Sequence, residues 1–224
     1  MKSRAITDVD PAAISFLVAS SREHSDQDLA SLNFLTATFL AAHGAAPDGL
    51  SLEVGTRQGG SAWLFLRLLR LMYGSGDGIA PPLFTVDPYG GKPYAGGDGA
   101  EATAGLYGPA DCQQMKRLLL DFPNHQHFLL TGTAFLRLAA ERYWRNGKSI
   151  EFRESITFAL LDGDHSAAVI ASELHALFTW GWMKPGGLVA VDDTHKDPKT
   201  AAVLQEYEVV GQGNNGLVVI KGKK

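Results

Sequence analysis

The chain has 224 residues, of which 45% are hydrophobic, and its formal net charge is −4. This length suits one α/β domain with a large core, and the scattered basic residues argue against a nucleic-acid partner. No apolar run approaches the roughly 18 residues of a membrane-spanning helix, so we expect no membrane segment. The single cysteine, Cys112, cannot form an internal disulfide, which favours a reducing, cytoplasmic location.

Residues 1–47 are predicted to form an N-terminal helical cap. Pro11 suits the first turn of a helix, and apolar residues recur at spacings of three and four between Leu29 and Leu40. Residues 48–224 are predicted to form a ligand-binding core that packs with the cap as one compact domain. The apolar helices of the cap also offer a surface for a homodimer.

The elements of the core are predicted from apolar runs, turn residues and helical periodicity. Residues 88–108 contain seven glycines, three tyrosines and two prolines, which predicts a long loop that acts as a lid. Asp197 and Pro198 are predicted to cap and begin a late helix, and residues 207–220 to form a closing hairpin. The other elements are predicted as strand 50–55, helix 61–73, strand 83–87, helix 109–121, strand 127–131, helix 133–145, strand 156–162, a helix that ends at 184, and strand 188–192.

Four of the predicted strands end on a carboxylate. These acids are Glu53, Asp87, Asp162 and the pair Asp192 and Asp193. Short apolar runs separated by helices are typical of parallel strands, and ligands bind at the carboxyl ends of such strands. We therefore expect a Rossmann-like α/β fold, a seven-stranded mostly parallel sheet with helices on both faces and a C-terminal antiparallel hairpin, with the acids along one edge.

The segment Glu53-Val54-Gly55-Thr56-Arg57-Gln58-Gly59-Gly60-Ser61 joins the first strand to a helix, and its glycines would let a ligand approach the backbone. A dinucleotide fingerprint has glycines at relative positions one, three and six, but here they fall at one, five and six. Because Glu53 would also repel a pyrophosphate, an NAD-dependent oxidoreductase is disfavoured. An acid there suits an ammonium or sulfonium group, and Asp87 suits the hydroxyls of a ribose. The alternative is a tight turn beside a solvated acid.

A second polar cluster is expected where Asp162-Gly163-Asp164-His165-Ser166 and Asp192-Asp193 follow neighbouring strands. Carboxylates so placed repel one another unless a cation lies between them, and oxygen ligands favour Mg²⁺, Ca²⁺ or Mn²⁺ over zinc. This predicts a divalent cation, with Mg²⁺ as the first candidate. His165 is a candidate general base near neutral pH. The alternative is that Asp164 and His165 cap a helix and that the paired acids begin a polar loop.

These features resemble those of the class I S-adenosylmethionine-dependent methyltransferases over about residues 48–222. The segment that begins Glu53-Val54-Gly55 is similar to the first motif of that family, which wraps the amino-acid end of the cofactor, and Asp87 matches the acid that binds its ribose. The third strand is followed by the family's adenine contacts. The resemblance therefore implies a cofactor site made by Glu53, Gly55, Thr56, Gly59, Ser61, Asp87, Thr133 and Asp162.

The Asp-Gly-Asp-His segment is similar to that of the macrolide-sugar O-methyltransferases and the cephalosporin-pathway enzymes, and more distantly to catechol O-methyltransferase. This resemblance implies that Asp162, Asp192 and Asp193 bind the cation and that His165 is the base. The chain departs from it in having Asp192 where the macrolide enzymes have Glu, and Asp193 where the catechol type has Asn. The implied function is O-methylation of a small-molecule acceptor. Its rivals are a metal-independent N-methyltransferase and a non-catalytic, cofactor-binding regulator.

Overall fold

The structure is a computed structural model that describes residues 9–74, 80–90, 107–138, 142–145, 148–151 and 153–222. Most of the predicted lid lies outside these residues. The helices are α1 (Pro11–Ser21), α2 (Leu29–Ala45), α3 (Gly60–Tyr73), α4 (Pro109–Leu119), α5 (Gly132–Leu138), α6 (Ala167–Phe178) and α7 (Thr200–Leu204). The strands are β1 (Leu50–Val54), β2 (Leu83–Val86), β3 (His125–Phe128), β4 (Arg142–Arg145), β5 (Lys148–Glu151), β6 (Ile156–Leu161), β7 (Met183–Val191), β8 (Glu208–Gln212) and β9 (Val218–Lys221).

Seven strands form one sheet in the order β3-β2-β1-β6-β7-β9-β8. Strands β3, β2, β1, β6 and β7 pair in parallel, and β9 runs antiparallel to both β7 and β8. The chain builds the sheet outward from β1 in both directions, so the point where the strand order reverses, which is where such sheets bind ligands, lies at the carboxyl ends of β1 and β6. The predicted seven-stranded, mostly parallel sheet with its antiparallel C-terminal pair is confirmed.

The central strands are buried on both faces, which explains their near-continuous apolar sequences. Every residue of β1 and of β6 is buried. On one face, the rings of Phe39, Phe65 and Phe158 meet with centroids 4.7 to 5.2 Å apart. On the other face, Leu52 belongs to a separate apolar cluster with residues of α5 and α6, such as Leu174. The two apolar clusters pack against both faces of the sheet and hold the ends of the central strands in place.

The two N-terminal helices begin at aspartate caps. Asp10 accepts a hydrogen bond from the backbone N–H of Ala12, and Asp28 accepts one from that of Ser31. The connector between α1 and α2, residues 22–28, passes over the start of α3, where a Cβ on Gly60 would lie 2.4 Å from the carbonyl oxygen of His24. The division into cap and core stays a prediction. Within the described residues, no helix is long and apolar enough to cross a membrane.

The segment after α5 differs from the prediction. Helical periodicity predicts a helix through residue 145, but Arg142–Arg145 and Lys148–Glu151 pair antiparallel as a separate two-stranded sheet. The aromatic pair Tyr143-Trp144 favours a strand, and Asn-Gly between two such runs favours a hairpin. The prediction was wrong because it took the Asn-Gly pair for a helix stop.

The prediction also misplaces three boundaries near β7, which itself begins at Met183 and not at residue 188. Helix α6 ends at Phe178, well before residue 184, because Gly181 with φ of +74° turns the chain into β7. Asp197 does not cap the following helix, which begins at Thr200. One carboxylate oxygen of Asp197 instead accepts a hydrogen bond of 2.8 Å from the backbone N–H of Ala167, the first residue of α6. This contact ties together the two loops that carry the second polar cluster.

Candidate active site

The strand ends bring the predicted acids to one edge of the sheet. The backbone N–H of Asp162 bonds to the Val54 carbonyl oxygen at 2.8 Å, and that of Asp192 bonds to the Leu161 carbonyl oxygen at 2.9 Å. The ladder therefore continues one residue beyond β6 and β7. Asp87 is held in the same way, by a bond of 3.1 Å from its N–H to the Phe128 carbonyl oxygen.

Glu53 is a fully buried carboxylic acid near the end of β1. The hydroxyl of Ser61, at the start of α3, donates a 2.5 Å hydrogen bond to Glu53 Oε1. The other oxygen, Oε2, is buried without a hydrogen-bond partner. Burial raises the pKa of Glu53 to about 7, and the hydroxyls of Ser61 and Thr56 oppose this rise. Glu53 therefore offers an open acceptor to a ligand that carries a positive charge.

Asp87 shapes the loop between β1 and α3. Its two oxygens accept hydrogen bonds from the backbone N–H groups of Arg57, at 3.0 Å, and Tyr89, at 2.9 Å. The Tyr89 hydroxyl donates back to the Arg57 carbonyl oxygen. Burial raises the pKa of Asp87, and the bonds from the backbone oppose that rise. Each carboxylate oxygen keeps a second lone pair that can accept a ligand hydroxyl.

The glycines of the same loop make room for protein backbone. Gly55 has φ of +86°, and a Cβ there would lie 2.1 Å from the carbonyl oxygen of Asp162. Gly59 has φ of +88°, a conformation that L side chains rarely adopt. The expectation that these glycines admit a ligand is therefore incomplete, because Gly55 also brings the end of β1 against the end of β6.

The predicted adenine segment lies beside the end of β1. Thr133 is half-buried in the first turn of α5. A Cβ on the preceding Gly132 would lie 2.5 Å from the Val54 side chain and 2.1 Å from Glu173 Oε1. Glu173 is buried, and its pKa is raised to about 8 by burial and by the charge of Asp164. Sequence reasoning missed Glu173 because it is an isolated acid in an apolar helix.

Asp162, His165 and Asp193 form the tightest group of possible cation ligands among the described residues. One ligand atom from each lies within 4.8 Å of the others. Burial raises the pKa of Asp162 well above its usual value, and the charges of Asp192 and Asp193 add to this rise. His165 Nε2 is 3.4 Å from Asp193 Oδ2, which also pairs with Lys196. The pKa of His165 is lowered, chiefly by burial.

Asp192 is turned toward a residue that sequence reasoning missed. Its Oδ1 accepts a 2.9 Å hydrogen bond from the backbone N–H of Asp193. Its Oδ2 accepts one of 3.1 Å from the side-chain amide of Gln27, which also lies 3.5 Å from Asp162 Oδ2. Burial raises the pKa of Asp192 to about 6. Gln27 lies in the α1–α2 connector, where no sequence motif marks it.

Unpaired polar atoms indicate that this edge receives a polar ligand. Among the described residues, eight buried side-chain atoms lack a hydrogen-bond partner, and four belong to this site: Gln27 Oε1, Glu53 Oε2, Thr56 Oγ1 and Arg57 Nε. Leaving such atoms unpaired costs about 1–3 kcal/mol each. The atoms therefore fit a cofactor with an ammonium group and hydroxyls. The clustered carboxylate oxygens separately fit a hard divalent cation.

Solved structures share this fold. The O-methyltransferase NovP matches with a TM-score of 0.66 and 18% identity, over 90% of this chain and 83% of NovP. The calicheamicin methyltransferase CalS11 matches with a TM-score of 0.59 and 14% identity, over 100% of this chain and 99% of CalS11. The SAH-bound methyltransferase PaMTH1 of Podospora anserina matches with a TM-score of 0.57 and 12% identity, over 96% of this chain and 89% of PaMTH1.

The sequence itself identifies the family. Among curated proteins the comparison finds no match. The family model described as "Methyltransferase domain" matches residues 52–194, more than half of the chain. This range begins one residue before Glu53 and ends one residue after Asp193, so it contains both polar clusters. The chain belongs to this methyltransferase family, and it is an S-adenosylmethionine-dependent methyltransferase.

Proposed function

We propose that this methyltransferase acts on a hydroxyl of a small-molecule acceptor with the help of a divalent cation, with Mg²⁺ as the first candidate. The observation that carries the proposal is that one polar atom each of Asp162 and Asp193, which would hold the cation, and of His165, which would be the base, lie within 4.8 Å of one another beside the cofactor loop. NovP is described as an O-methyltransferase, and CalS11 as a TDP-rhamnose 3'-O-methyltransferase. Their likeness supports a hydroxyl acceptor, and a sugar is the first class to try.

The β1 and β2 ends would hold the cofactor. Bound S-adenosylmethionine supplies a methyl group on a positively charged sulfur. The open Oε2 of Glu53 accepts a hydrogen bond from the ammonium group, and Ser61 keeps the carboxylate in place. Asp87 accepts from the ribose hydroxyls with the lone pairs that its two backbone donors leave free. These contacts position the methyl group without any covalent chemistry from the protein.

The β6 and β7 ends would activate the acceptor. Asp162, Asp192 and Asp193 would hold a divalent cation, which would supply Lewis-acid chemistry that lowers the pKa of an acceptor hydroxyl. His165 Nε2 accepts the hydroxyl proton. The oxygen then forms a bond to the methyl carbon as the bond from that carbon to sulfur breaks. The products are the methylated acceptor, S-adenosylhomocysteine and one proton on His165.

A second candidate is a metal-independent methyltransferase that acts on an amine. The ion pair between Lys196 and Asp193 favours it, because an ammonium group of the protein balances the charge of one of these acids. In this mechanism, the acids would orient an amine in its neutral form, the nitrogen lone pair would form the bond to the methyl carbon as the carbon–sulfur bond breaks, and no hydroxyl would need activation. The two candidates differ in their dependence on a cation and in the atom that is methylated.

The test is an acceptor screen that measures S-adenosylhomocysteine release. The panel contains TDP-rhamnose, other sugar nucleotides, catechols and matched amines, each assayed with Mg²⁺ and with a chelator. We expect a hydroxyl compound to be methylated, the rate to fall by about 100-fold or more with chelator, and Mg²⁺ to restore it. Amine methylation that survives the chelator would support the second candidate. Cofactor binding without any methylation would favour the non-catalytic regulator.

A further inference from the structure

We propose that Gln27 belongs to the cation site and supplies its side-chain amide oxygen as a ligand. The inference rests on the cation of the proposed function and adds a residue from outside the matched family region, residues 52–194. Gln27 Nε2 lies 3.1 Å from Asp192 Oδ2 and 3.5 Å from Asp162 Oδ2. The amide group therefore lies between two of the acids that would hold the cation.

The side-chain amide of Gln27 is close enough to both acids to reach an ion that they would hold. In a six-coordinate site, adjacent ligand atoms lie about 2.9 Å apart around Mg²⁺ and about 3.3–3.7 Å apart around Ca²⁺. Gln27 Nε2 lies 3.1 and 3.5 Å from the two carboxylates, which are hydrogen-bond distances within the same span. An amide oxygen in the place of Nε2 would therefore be within reach of the ion.

The orientation of the amide explains how it can change partners. Without a cation, the NH₂ group must face the carboxylates, because those oxygens only accept hydrogen bonds. The amide oxygen, Oε1, is buried at the other end without a hydrogen-bond partner. A half-turn of the amide group therefore breaks the bonds to Asp162 and Asp192 but none at the oxygen. It points Oε1 into the acid cluster, and amide oxygens are accepted ligands for hard cations.

The residues before and after Gln27 hold it in position through contacts with other parts of the fold. Asp26 pairs with Arg57 in the cofactor loop. Asp28 caps α2 through Ser31 at 2.7 Å and accepts a 2.9 Å hydrogen bond from the side chain of Asn215, in the turn between β8 and β9. Three consecutive residues thus reach the cofactor loop, the acid cluster and the C-terminal hairpin. Binding of the cation by Gln27 would hold the α1–α2 connector in place over the site.

The test measures binding of Mn²⁺ to the full chain by electron paramagnetic resonance, with S-adenosylhomocysteine affinity measured in parallel by calorimetry. Gln27→Ala removes the ligand, and Gln27→Glu keeps an oxygen at the same reach. Gln113→Ala, on an exposed position of α4, is the matched control. We expect Gln27→Ala to weaken Mn²⁺ binding by about 10-fold or more, and Gln27→Glu and the control to retain it. S-adenosylhomocysteine affinity should be unchanged in all three variants.

Three results would overturn this inference. Unchanged Mn²⁺ affinity in Gln27→Ala would show that the amide is not a ligand, and tighter binding would show that it competes with the cation. Equal loss in Gln27→Ala and Gln27→Glu would show that the amide matters only for packing. A wild-type protein that binds S-adenosylhomocysteine but no Mn²⁺ would instead remove the cation from the proposed function itself, so the two failures are distinguishable.

Discussion

The two halves of the site are completed in different ways. In the cofactor half, Glu53 is held by Ser61, eight residues away on the next helix. In the acid half, Asp162 and Asp192 are bridged by Gln27, which lies 135 and 165 residues away in the sequence. The buried acid of the cofactor half is thus held by a residue close to it in sequence, whereas the acids of the second half take a partner from the distant N-terminal connector. The comparison teaches that the contacts of Glu53 follow from a local motif, and that the contacts of Asp162 and Asp192 depend on the whole fold.

The halves also differ in charge. Glu53 has a pKa of about 7, and its Oε2 has no hydrogen-bond donor. The cofactor half therefore suits a ligand with a single positively charged group. The acid half crowds Asp162, Asp192 and Asp193 together, and the pKa of Asp162 is raised partly by its two neighbours. Such crowding is relieved by a cation or by protons. Variants in one half should therefore act mainly on the ligand of that half, although the charge of Glu53 also contributes to the raised pKa of Asp162.

The largest expected effect comes from His165→Ala, which removes the proposed general base of the acid half and leaves the cofactor half intact. Loss of a general base lowers the turnover rate by about 10² to 10⁴. Steady-state kinetics with the acceptor found in the screen would measure this, with S-adenosylhomocysteine affinity unchanged by calorimetry. The matched control is His175→Ala, on an exposed position of α6, which should retain full activity. A comparable loss of cofactor affinity in His165→Ala would contradict the division between the halves.

The next largest effect comes from Glu53→Gln, which removes the negative charge of the cofactor half and leaves the residues of the acid half intact. Removing the charge from the acceptor of the ammonium group costs about 1.5–3 kcal/mol, or about 10- to 100-fold in S-adenosylhomocysteine affinity. Calorimetry would measure this, together with Mn²⁺ binding, which should not change. Glu206→Gln on an exposed position is the control. Unchanged cofactor affinity in Glu53→Gln would mean that the open oxygen faces something other than the cofactor.

A smaller effect concerns pH and Ser61. Because the pKa of Glu53 is raised to about 7, the free protein must lose a proton below that pH before the carboxylate can bind an ammonium group. S-adenosylhomocysteine affinity should therefore fall by up to about tenfold per pH unit below about 7 and level off above it. Ser61→Ala removes a bond that lowers this pKa, so the midpoint should move to higher pH. Affinity that is flat between pH 6 and 8 would contradict this account.

Most of the fold could be predicted because the central strands are buried on both faces. Their apolar runs, such as those that end at Glu53 and Asp162, stand out against the polar loops that follow them. The hairpin of β4 and β5 was missed because its runs are short and the Asn-Gly pair between them was taken for a helix stop. The cytoplasmic location, a homodimer, the absence of a nucleic-acid partner and the lid over residues 88–108 stay predictions.

The same distinction applies to the candidate site, where residues at strand ends could be predicted and residues in distant loops could not. Glu53, Asp87, Asp162 and Asp192 could be placed together because each lies at a strand end, and parallel strands share one edge. Gln27 could not be found, because nothing in a polar connector shows which distant residues it will meet. Asp197 was misplaced for the same reason, since its partner Ala167 lies thirty residues away. The binding roles of the predicted residues, Thr133 included, stay predictions.

The most direct test of the account is calorimetric titration of Mg²⁺ and of S-adenosylhomocysteine into the wild-type protein and into Asp162→Asn. We expect the wild type to bind both, and Asp162→Asn to bind Mg²⁺ about 100-fold more weakly while its S-adenosylhomocysteine affinity changes by less than about threefold. A wild type that binds S-adenosylhomocysteine without Mg²⁺, or a variant that loses both ligands equally, would contradict it.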